Sequence, residues 1–488
     1  MSLELYNSQS GKKEVFEPLA PPKVKIYVCG PTVYDYLHVG NFRGAIVFNV
    51  LKQHLISLGY DVDFVYNITD IDDKIIKRAN EEGVDASEIS QRFTTAFKED
   101  LARLSLEEHT AYPKCTEHIT EMVHFIQSLM DKGHAYAVNG SVFFRIDSYE
   151  SYGSLSGKNI EDLEAGHRVE SNEEKENPLD FVLWKAEKPG EPAWDAPWGA
   201  GRPGWHIECS AMAQCILGDS IDIHGGGMDL LFPHHENERA QSECQSGKPF
   251  SKYWIHHHFI QFGDEKMSKS LGNVVKARDF MDRFHPEVFK FMMLSSHYRS
   301  VLALDDTHVL QAIDRLGKIY RSMQLAERAL AKGSQAPASH PFLTAIETHQ
   351  TQINDALNDD LNTPKVMAEL FELLKAYNAL KGKAQAQMAE AYLHCIRKEG
   401  KRLGVFQTDI SELLEALKSI LIREQNISVE TVEALMTDRD QARADKNYAE
   451  SDRIRDELSA MGVLVMDGPG MESNWDVKVL LDSGTDPA

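Results

Sequence analysis

The N-terminal stretch from Lys23 to Ile68 constrains the fold more than any other part of the chain. Lys23 to Cys29 (KVKIYVC) alternates apolar residues at period two and predicts a strand. A Gly30-Pro31-Thr32 turn follows, then an amphipathic run from Phe42 to Leu58 closed by Gly59, then a second strand from Val62 to Ile68. Strand, helix, strand in so short a span is a βαβ unit, which requires a parallel sheet covered by helices. In such sheets phosphates settle beyond the strand ends, where a helix N-terminus offers free N–H groups and partial positive charge. His38-Val39-Gly40-Asn41 occupies that place: His38 directly precedes the helix, and Gly40 lets a ligand approach the backbone closely.

Far downstream, Lys266-Met-Ser-Lys-Ser270 sets two lysines three apart, bracketed by Gly263 and Gly272-Asn273. On a loop, Lys266 and Lys269 would reach polyphosphate from two sides, with Met267 as anchor and Ser268 and Ser270 as hydroxyl donors. A lone Lys-x-x-Lys is commonly a solvated basic turn, and a lone His-x-Gly-x carries little. The pair on one chain points to a nucleotide site with two jaws.

Between them the pattern changes several times. Ala86 to Gly133 reads as helical, and His134 to Ile146 as a hairpin turning at Asn139-Gly140. Ser151 to Gly204 is rich in glycine, proline and acid and reads as a peripheral insertion that splits the nucleotide fold. Apolar density resumes at Trp205, and Ser220 to Ile223 reads as a buried strand. Beyond Leu302, helices are predicted over Asp306–Lys332, Phe342–Leu357, Lys365–Leu380, Gln387–Leu403 and within Val429–Met461, then a short strand, Val463–Met466.

The 488 residues suffice for several domains, and the formal net charge of −23 argues against a nonspecific nucleic-acid coat while allowing a local basic face. No apolar run reaches a membrane span, and the N-terminus lacks a signal-peptide pattern. Six scattered cysteines without close pairs point to reduced thiols in a cytoplasmic protein.

The segment His224 to Glu238 (HGGGMDLLFPHHENE) is dense in possible metal ligands. A helix starting after Pro233 would put His234 and Glu238 at i and i+4, on one face. Zinc favours soft donors as well, and the candidates are Cys29, at the end of the first strand, and Cys209. Strand ends of an α/β sheet converge on one rim, so distant residues can meet there. Cys29 is equally at home as a small buried residue, and His235 as part of a solvated helix start. None of the compact zinc spacings is present, so spacing alone does not close the site.

His38-x-Gly-Asn41 with Lys266–Ser270 resembles the paired signatures of class I aminoacyl-tRNA synthetases. The longer words Tyr27–Asp35 (YVCGPTVYD), Asn67–Lys77 (NITDIDDKIIK), Gly201–Met212 (GRPGWHIECSAM) and Phe232–Glu238 (FPHHENE) are similar to the cysteinyl-tRNA synthetase family. The resemblance implies an α/β fold: a Rossmann-type parallel-sheet catalytic domain split by an insertion, then an α-helical bundle and a small C-terminal anticodon-binding domain. The boundaries that follow are 1–115 and 200–262 for the catalytic halves, 116–199 for the insertion and 263–310 for the lysine loop and stem-contact region. The bundle then spans 311–405, the anticodon-binding domain 406–480 and a disordered tail 481–488.

For chemistry, the resemblance implies ATP-dependent activation of L-cysteine and transfer to the terminal adenosine of its tRNA; nothing in the sequence demands more than a monomer. One zinc ion would be held by Cys29, Cys209, His234 and Glu238 to select thiol over alcohol, and magnesium would accompany ATP. Trp205 and His224 would line the cysteine pocket, with Thr69 and His206 nearby. His38, Gly40, Asn41, Lys266, Ser268 and Lys269 would hold ATP, and His38, Asn41, Lys266 and Lys269 would serve catalysis. Asn41 stands where many class I enzymes carry a second histidine, so this partner donates a neutral hydrogen bond and carries no charge. In the C-terminal run, Arg443, Tyr448, Asp452 and Asp467 match anticodon-reading positions, Tyr448 by stacking. Tyr448 stands where a tryptophan is common in the family. A cysteine ligase acting on a small amine, as in the mycothiol pathway, would share both signatures and the metal site, but the Arg439–Asp467 region argues against it. A tRNA- or zinc-binding regulator that has lost catalysis is disfavoured by retention of His38, both lysines and all four ligands.

Overall fold

The computed structural model describes residues 2–158, 174–262, 265–266, 275–331, 339–467 and 473–480, with only the backbone for Phe262, Glu265, Lys266, Asp467 and Ser473. The expectations placed on Gly263, on Met267 to Asn273 (Ser268 and Lys269 among them) and on the tail 481–488 lie outside the described residues.

An antiparallel hairpin, β1 (Glu4–Asn7) and β2 (Lys12–Val15), opens the chain. β3 (Lys23–Val28) leads through the His38 turn into α1 (Val39–Ser57), and β4 (Asp61–Tyr66) pairs with β3 in parallel. α1 buries Phe42, Ile46, Phe48, Leu51 and Leu55 completely. Each such side chain stabilises the sheet–helix contact by about 1.5–3 kcal/mol.

α2 (Asp73–Glu82) and α3 (Ala86–Leu104) follow, then α4 (Ile119–Asp131). The continuous helical pattern read from Ala86 to Gly133 is therefore interrupted. Ser105 ends α3 in the left-handed region (φ 50), and the chain then runs alongside β4. The Tyr66 N–H donates to the Ala111 carbonyl (3.0 Å) and the Ile68 N–H to that of Pro113 (2.8 Å). Tyr112-Pro113 supplies the reason: proline lacks the N–H a helix needs and keeps its predecessor extended. Buried backbone groups along β4 also require partners.

β5 (Ala135–Val138) and β6 (Ser141–Phe144) form the hairpin at Asn139-Gly140. β7 (Phe181–Ala186) and β8 (Gly201–Pro203) extend it into a four-stranded antiparallel sheet. β8 lies within the Ser151–Gly204 stretch that composition marks as an insertion, and its ladder with β7 pairs Trp184 with Pro203.

α5 (Trp205–Leu217), β9 (Ile221–Gly227), α6 (Glu236–Ser246) and β10 (Ser251–His257) complete the central sheet. Its order is β10-β9-β3-β4, all parallel. The chain leaves β3 toward β4 on one side and passes from β9 to β10 on the other. The β3/β9 boundary is thus the switch point, beyond whose strand ends ligands bind in open α/β sheets.

β11 (Ile260–Phe262) pairs antiparallel with β12 (Glu265–Lys266). α7 (Ala277–Phe284), α8 (Pro286–Leu294) and β13 (Leu302–Ala303) follow, β13 lying parallel to β11. The bundle comprises α9 (Asp306–Leu330), α10 (Pro341–Asn358), α11 (Thr363–Ala379) and α12 (Gly382–Leu403). α13 (Ile410–Glu424), not anticipated from the sequence, packs on α9. The chain closes with a helix pair, α14 (Val429–Ala444) and α15 (Tyr448–Ala460), and an antiparallel ribbon, β14 (Val463–Asp467) with β15 (Ser473–Val477). No described helix is long and apolar enough to cross a membrane.

Candidate active site and metal centre

Beyond the C-terminal ends of β3 and β9 lies a cleft of about 450 Å³, lined by Cys29, Trp205 and Asp229 and by His38, Gly40 and Asn41 among others. It forms because the chain turns sharply after β3. Gly30 makes this possible, since a Cβ there would lie 1.7 Å from the Asn67 carbonyl oxygen, while its N–H bonds the Asn67 Oδ1 at 2.8 Å.

Four side chains from three elements converge at the floor. Cys29 caps β3, Cys209 lies on α5, His234 precedes α6 and Glu238 lies in its first turn. One ligand atom from each falls within 4.8 Å of all the others, and all four residues are buried. The Cys29 sulfur is 3.6 Å from that of Cys209, 3.5 Å from His234 Nε2 and 3.2 Å from Glu238 Oε1. His234 Nε2 and Glu238 Oε1 are 2.9 Å apart, the i,i+4 relation acting across the turn that opens α6.

So many titratable groups in one dry place polarise each other. Burial opposes ionisation of Glu238, but the charges and hydrogen bonds of His224 and His234 hold it well below the usual carboxylate range. Burial pushes the Cys29 thiol up, reinforced by Cys209 and Glu238. Cys209 moves the other way: burial raises it, yet hydrogen bonding with Cys29 and His234 prevails and brings it to about 6. Burial lowers His234, yet the Glu238 and Cys209 charges prevail and bring it to about 10. A metal would displace that proton, leaving a thiolate, a carboxylate and an imidazole as a donor set suited to a divalent cation.

Outer residues hold the donors in place. His224, on β9, sits within 2.8 Å of the second Glu238 oxygen through Nε2 and stacks on Trp254. His206 Nδ1 lies 2.9 Å from His234 Nδ1, and Trp205 stacks on the His234 ring at 4.2 Å. His235 is fully buried rather than solvated, with Nδ1 2.8 Å from His256 Nε2. Cys29, His224, His235 and Glu238 form a second possible ligand group sharing two members with the first. The first group has two sulfurs and adjoins Trp205, so it is the better soft-metal site.

Of the residues expected around the amino acid, Trp205 lines the cleft and His206 adjoins His234. His224 stands behind Glu238, and Thr69 is buried beneath, bridged to Thr32.

Also lining the cleft, the His38 ring folds over Gly40, where a Cβ would meet ring atoms at 2.9 Å. Asn41 has a role the sequence reading missed: its Oδ1 accepts from the His38 N–H at 3.0 Å, the back-bond of a capping box. Its spacing, the third residue of a helix after the cap, was the available signal. The segment after the lysine loop pairs with this turn: the Val39 N–H donates to the Val275 carbonyl (3.0 Å) and the Ala277 N–H to that of Leu37 (2.9 Å). Lys266, by its backbone, pairs with Gln261 on β11. Both roots of the loop thus stand beside the cleft. Lys74, Asp229 and His257 also line it and were not singled out from sequence, because nothing in their local pattern marks them.

In the C-terminal unit, Tyr448 begins α15 and is 65% exposed, enough ring surface for stacking. Asp452 pairs with Arg455 (3.0 Å), Arg443 lies in the last turn of α14, and Asp467 ends β14.

A parallel sheet carrying this cleft at its switch point is the catalytic fold of a class I synthetase, and residues 15–314 match the family described as tRNA synthetases class I (C) catalytic domain. Residues 352–407 match the DALR domain and 429–471 the cysteinyl-tRNA ligase anticodon binding domain. Cysteine–tRNA ligases are similar along nearly the whole chain. That of Bdellovibrio bacteriovorus is 45% identical, covering 97% of this chain and 99% of the relative, and that of Geobacter metallireducens is 44% identical, covering 98% and 100%. The chain belongs to the cysteine–tRNA ligase family. A solved structure of Mycobacterium tuberculosis methionyl-tRNA synthetase shares the fold at 13% identity, with a TM-score of 0.61 over 80% of this chain and 93% of that one. The match over residues 429–471 leaves the small-amine ligase reading without support.

Proposed function

We propose that this protein joins L-cysteine to its cognate tRNA in two steps, through a cysteinyl-adenylate formed from ATP. The observation that carries the reading is the convergence of Cys209, His234 and Glu238 on Cys29, which lines the same cleft as His38, Gly40 and Asn41.

The four donors fit zinc. With bonds of about 2.3 Å to sulfur and about 2.0–2.1 Å to nitrogen, a tetrahedral ion has a sulfur–sulfur edge of about 3.8 Å and a sulfur–nitrogen edge of about 3.6 Å. The corresponding separations are 3.6 and 3.5 Å, while Glu238 Oε1, 3.2 Å from Cys29 and 2.9 Å from His234, stands at hydrogen-bond distance and would move outward around an ion. Bound zinc would take the substrate thiol as thiolate and disfavour the harder hydroxyl of serine. His224 and His206 orient Glu238 and His234, as outer partners of metal ligands do.

The cysteine carboxylate attacks the α-phosphorus of ATP, and pyrophosphate leaves. The part of this chain is placement and charge: His38 and the N-terminus of α1 on the α-phosphate side, Lys266 and Lys269 over the β- and γ-phosphates, where magnesium bound with ATP would add neutralising charge. Trp205, half-exposed over His234, and Thr69 with His206 shape the amino-acid end. Arg443, Tyr448, Asp452 and Asp467 read the anticodon, Tyr448 by stacking on a base. The reading takes the protein as a cytoplasmic monomer, and its six cysteines, none of them in a disulfide, fit a reducing compartment.

The test is aminoacylation of a tRNA bearing a cysteine anticodon, alongside cysteine-dependent exchange of pyrophosphate into ATP. Both activities are expected. Exchange without transfer to tRNA would overturn the tRNA reading, and absence of both would overturn the enzyme reading.

A further inference from the structure

Arg43 is fully buried on α1, close behind His38 and Asn41. Among the described residues, no carboxylate accepts a hydrogen bond from its guanidinium. One terminal nitrogen donates to the carbonyls of His258 (2.9 Å) and Phe259 (2.8 Å). The other donates to Ser296 Oγ (3.3 Å) and to the carbonyls of His297 (3.1 Å) and Ser300 (2.8 Å). These are two separate segments. His258-Phe259 runs directly into β11, on which β12 and Lys266 are built, and Ser296–Ser300 leads to β13, the other neighbour of β11.

The second segment is gripped from its far side as well. Asp360, buried and held at φ 58, accepts from Tyr298 Oη (2.5 Å), Arg299 Nε (2.7 Å) and the Tyr6 N–H (2.9 Å), and its carbonyl lies 2.9 Å from His297 Nε2. Asp360 sits between α10 and α11 of the bundle.

Burying a guanidinium without a carboxylate is costly, and an apolar contact would join the same elements at lower cost. A planar fork offers what apolar packing lacks, a fixed angle between two backbone segments. We propose that Arg43 is a positioning residue for adenylation: it sets the upstream root of the lysine-bearing loop in register with His38 and Asn41, while Asp360 braces the 297–299 segment from the bundle side. The proposal rests on the adenylation reading above.

The test measures pyrophosphate exchange by the full chain. Arg43→Lys keeps the charge but cannot span both sets of carbonyls. The expected result is a kcat lowered about 100-fold, the scale of a misplacement of about 1 Å at a reacting centre, with KM for cysteine within about twofold and metal content unchanged. A merely structural role would lower the melting temperature and leave kcat within about threefold of wild type below the transition; that outcome overturns the proposal. Should Arg43→Lys not fold, Asp360→Asn decides: it retains an acceptor oxygen and loses the charge opposite Arg299. A kcat reduced about tenfold with unchanged KM for cysteine supports the proposal, and wild-type kcat overturns it. Wild-type protein inactive in the same assay would instead refute the adenylation reading.

Discussion

His54, in the last turn of α1, joins the catalytic sheet to the helical bundle and makes that junction sensitive to acid. It is fully buried, with Nε2 2.9 Å from Asn358 Oδ1 and Nδ1 2.9 Å from a terminal nitrogen of Arg402. Arg402 can only donate, so Nδ1 accepts and Nε2 carries the proton. A second proton would face the guanidinium in a dry site. Burial first, and the Arg402 charge second, lower the pKa to about 4, against about 6.5 in the unfolded chain. The unfolded state therefore binds more protons between these values. The contribution is fully present above pH 6.5 and is lost as pH falls toward 4, to a limit of about 3 kcal/mol. Between pH 7 and pH 5 alone the linkage amounts to about 2 kcal/mol. Urea unfolding of wild type and His54→Gln at both pH values measures it, because the other histidines cancel in the difference. The penalty of the substitution should be about 2 kcal/mol smaller at pH 5 than at pH 7. Equal penalties at the two pH values would refute the assigned tautomer and its desolvation.

Three further outcomes follow from the site. His224→Ala removes the partner of the second Glu238 oxygen and should weaken metal binding about 10–100-fold in a chelator competition; unchanged affinity would show that Glu238 needs no support. Gly40→Ala places a Cβ against the His38 ring and should cut the exchange rate at least about tenfold with KM for cysteine unchanged, measured by steady-state kinetics. Asn41→Ala should lower the adenylation rate with little effect on cysteine affinity and, through loss of the cap, cost about 1 kcal/mol in denaturant unfolding. Asn41→Asp should keep the cap but lower the rate further, since a carboxylate would face phosphate, so equal rates for the two variants would contradict the placement of Asn41 beside ATP.

Local periodicity made the βαβ unit, the Asn139-Gly140 hairpin and most bundle helices legible, because each is specified by neighbours in sequence. The meeting of Cys29 and Cys209 with His234 and Glu238 was legible only through chemistry and resemblance, since no compact spacing marks it and the parallel sheet alone brings them together. Helical periodicity did not show the break after α3, because Thr110, Ala111 and Pro113 exchange backbone hydrogen bonds with Phe64, Tyr66 and Ile68, a tertiary demand that leaves no periodic trace. β15 escaped because it pairs only with β14 and lacks strict alternation. Arg43 was illegible for a further reason: four of its five acceptors are backbone carbonyls, which leave no trace in residue identity.

The central claim is that Cys29, Cys209, His234 and Glu238 hold one zinc ion that receives the thiol of cysteine. X-ray absorption at the zinc edge, on the purified chain with and without L-cysteine, tests it most directly. The account predicts one zinc per chain with two sulfur neighbours, rising to three when cysteine is added and staying at two with serine. Absence of zinc, or a sulfur count that does not change with cysteine, would contradict it.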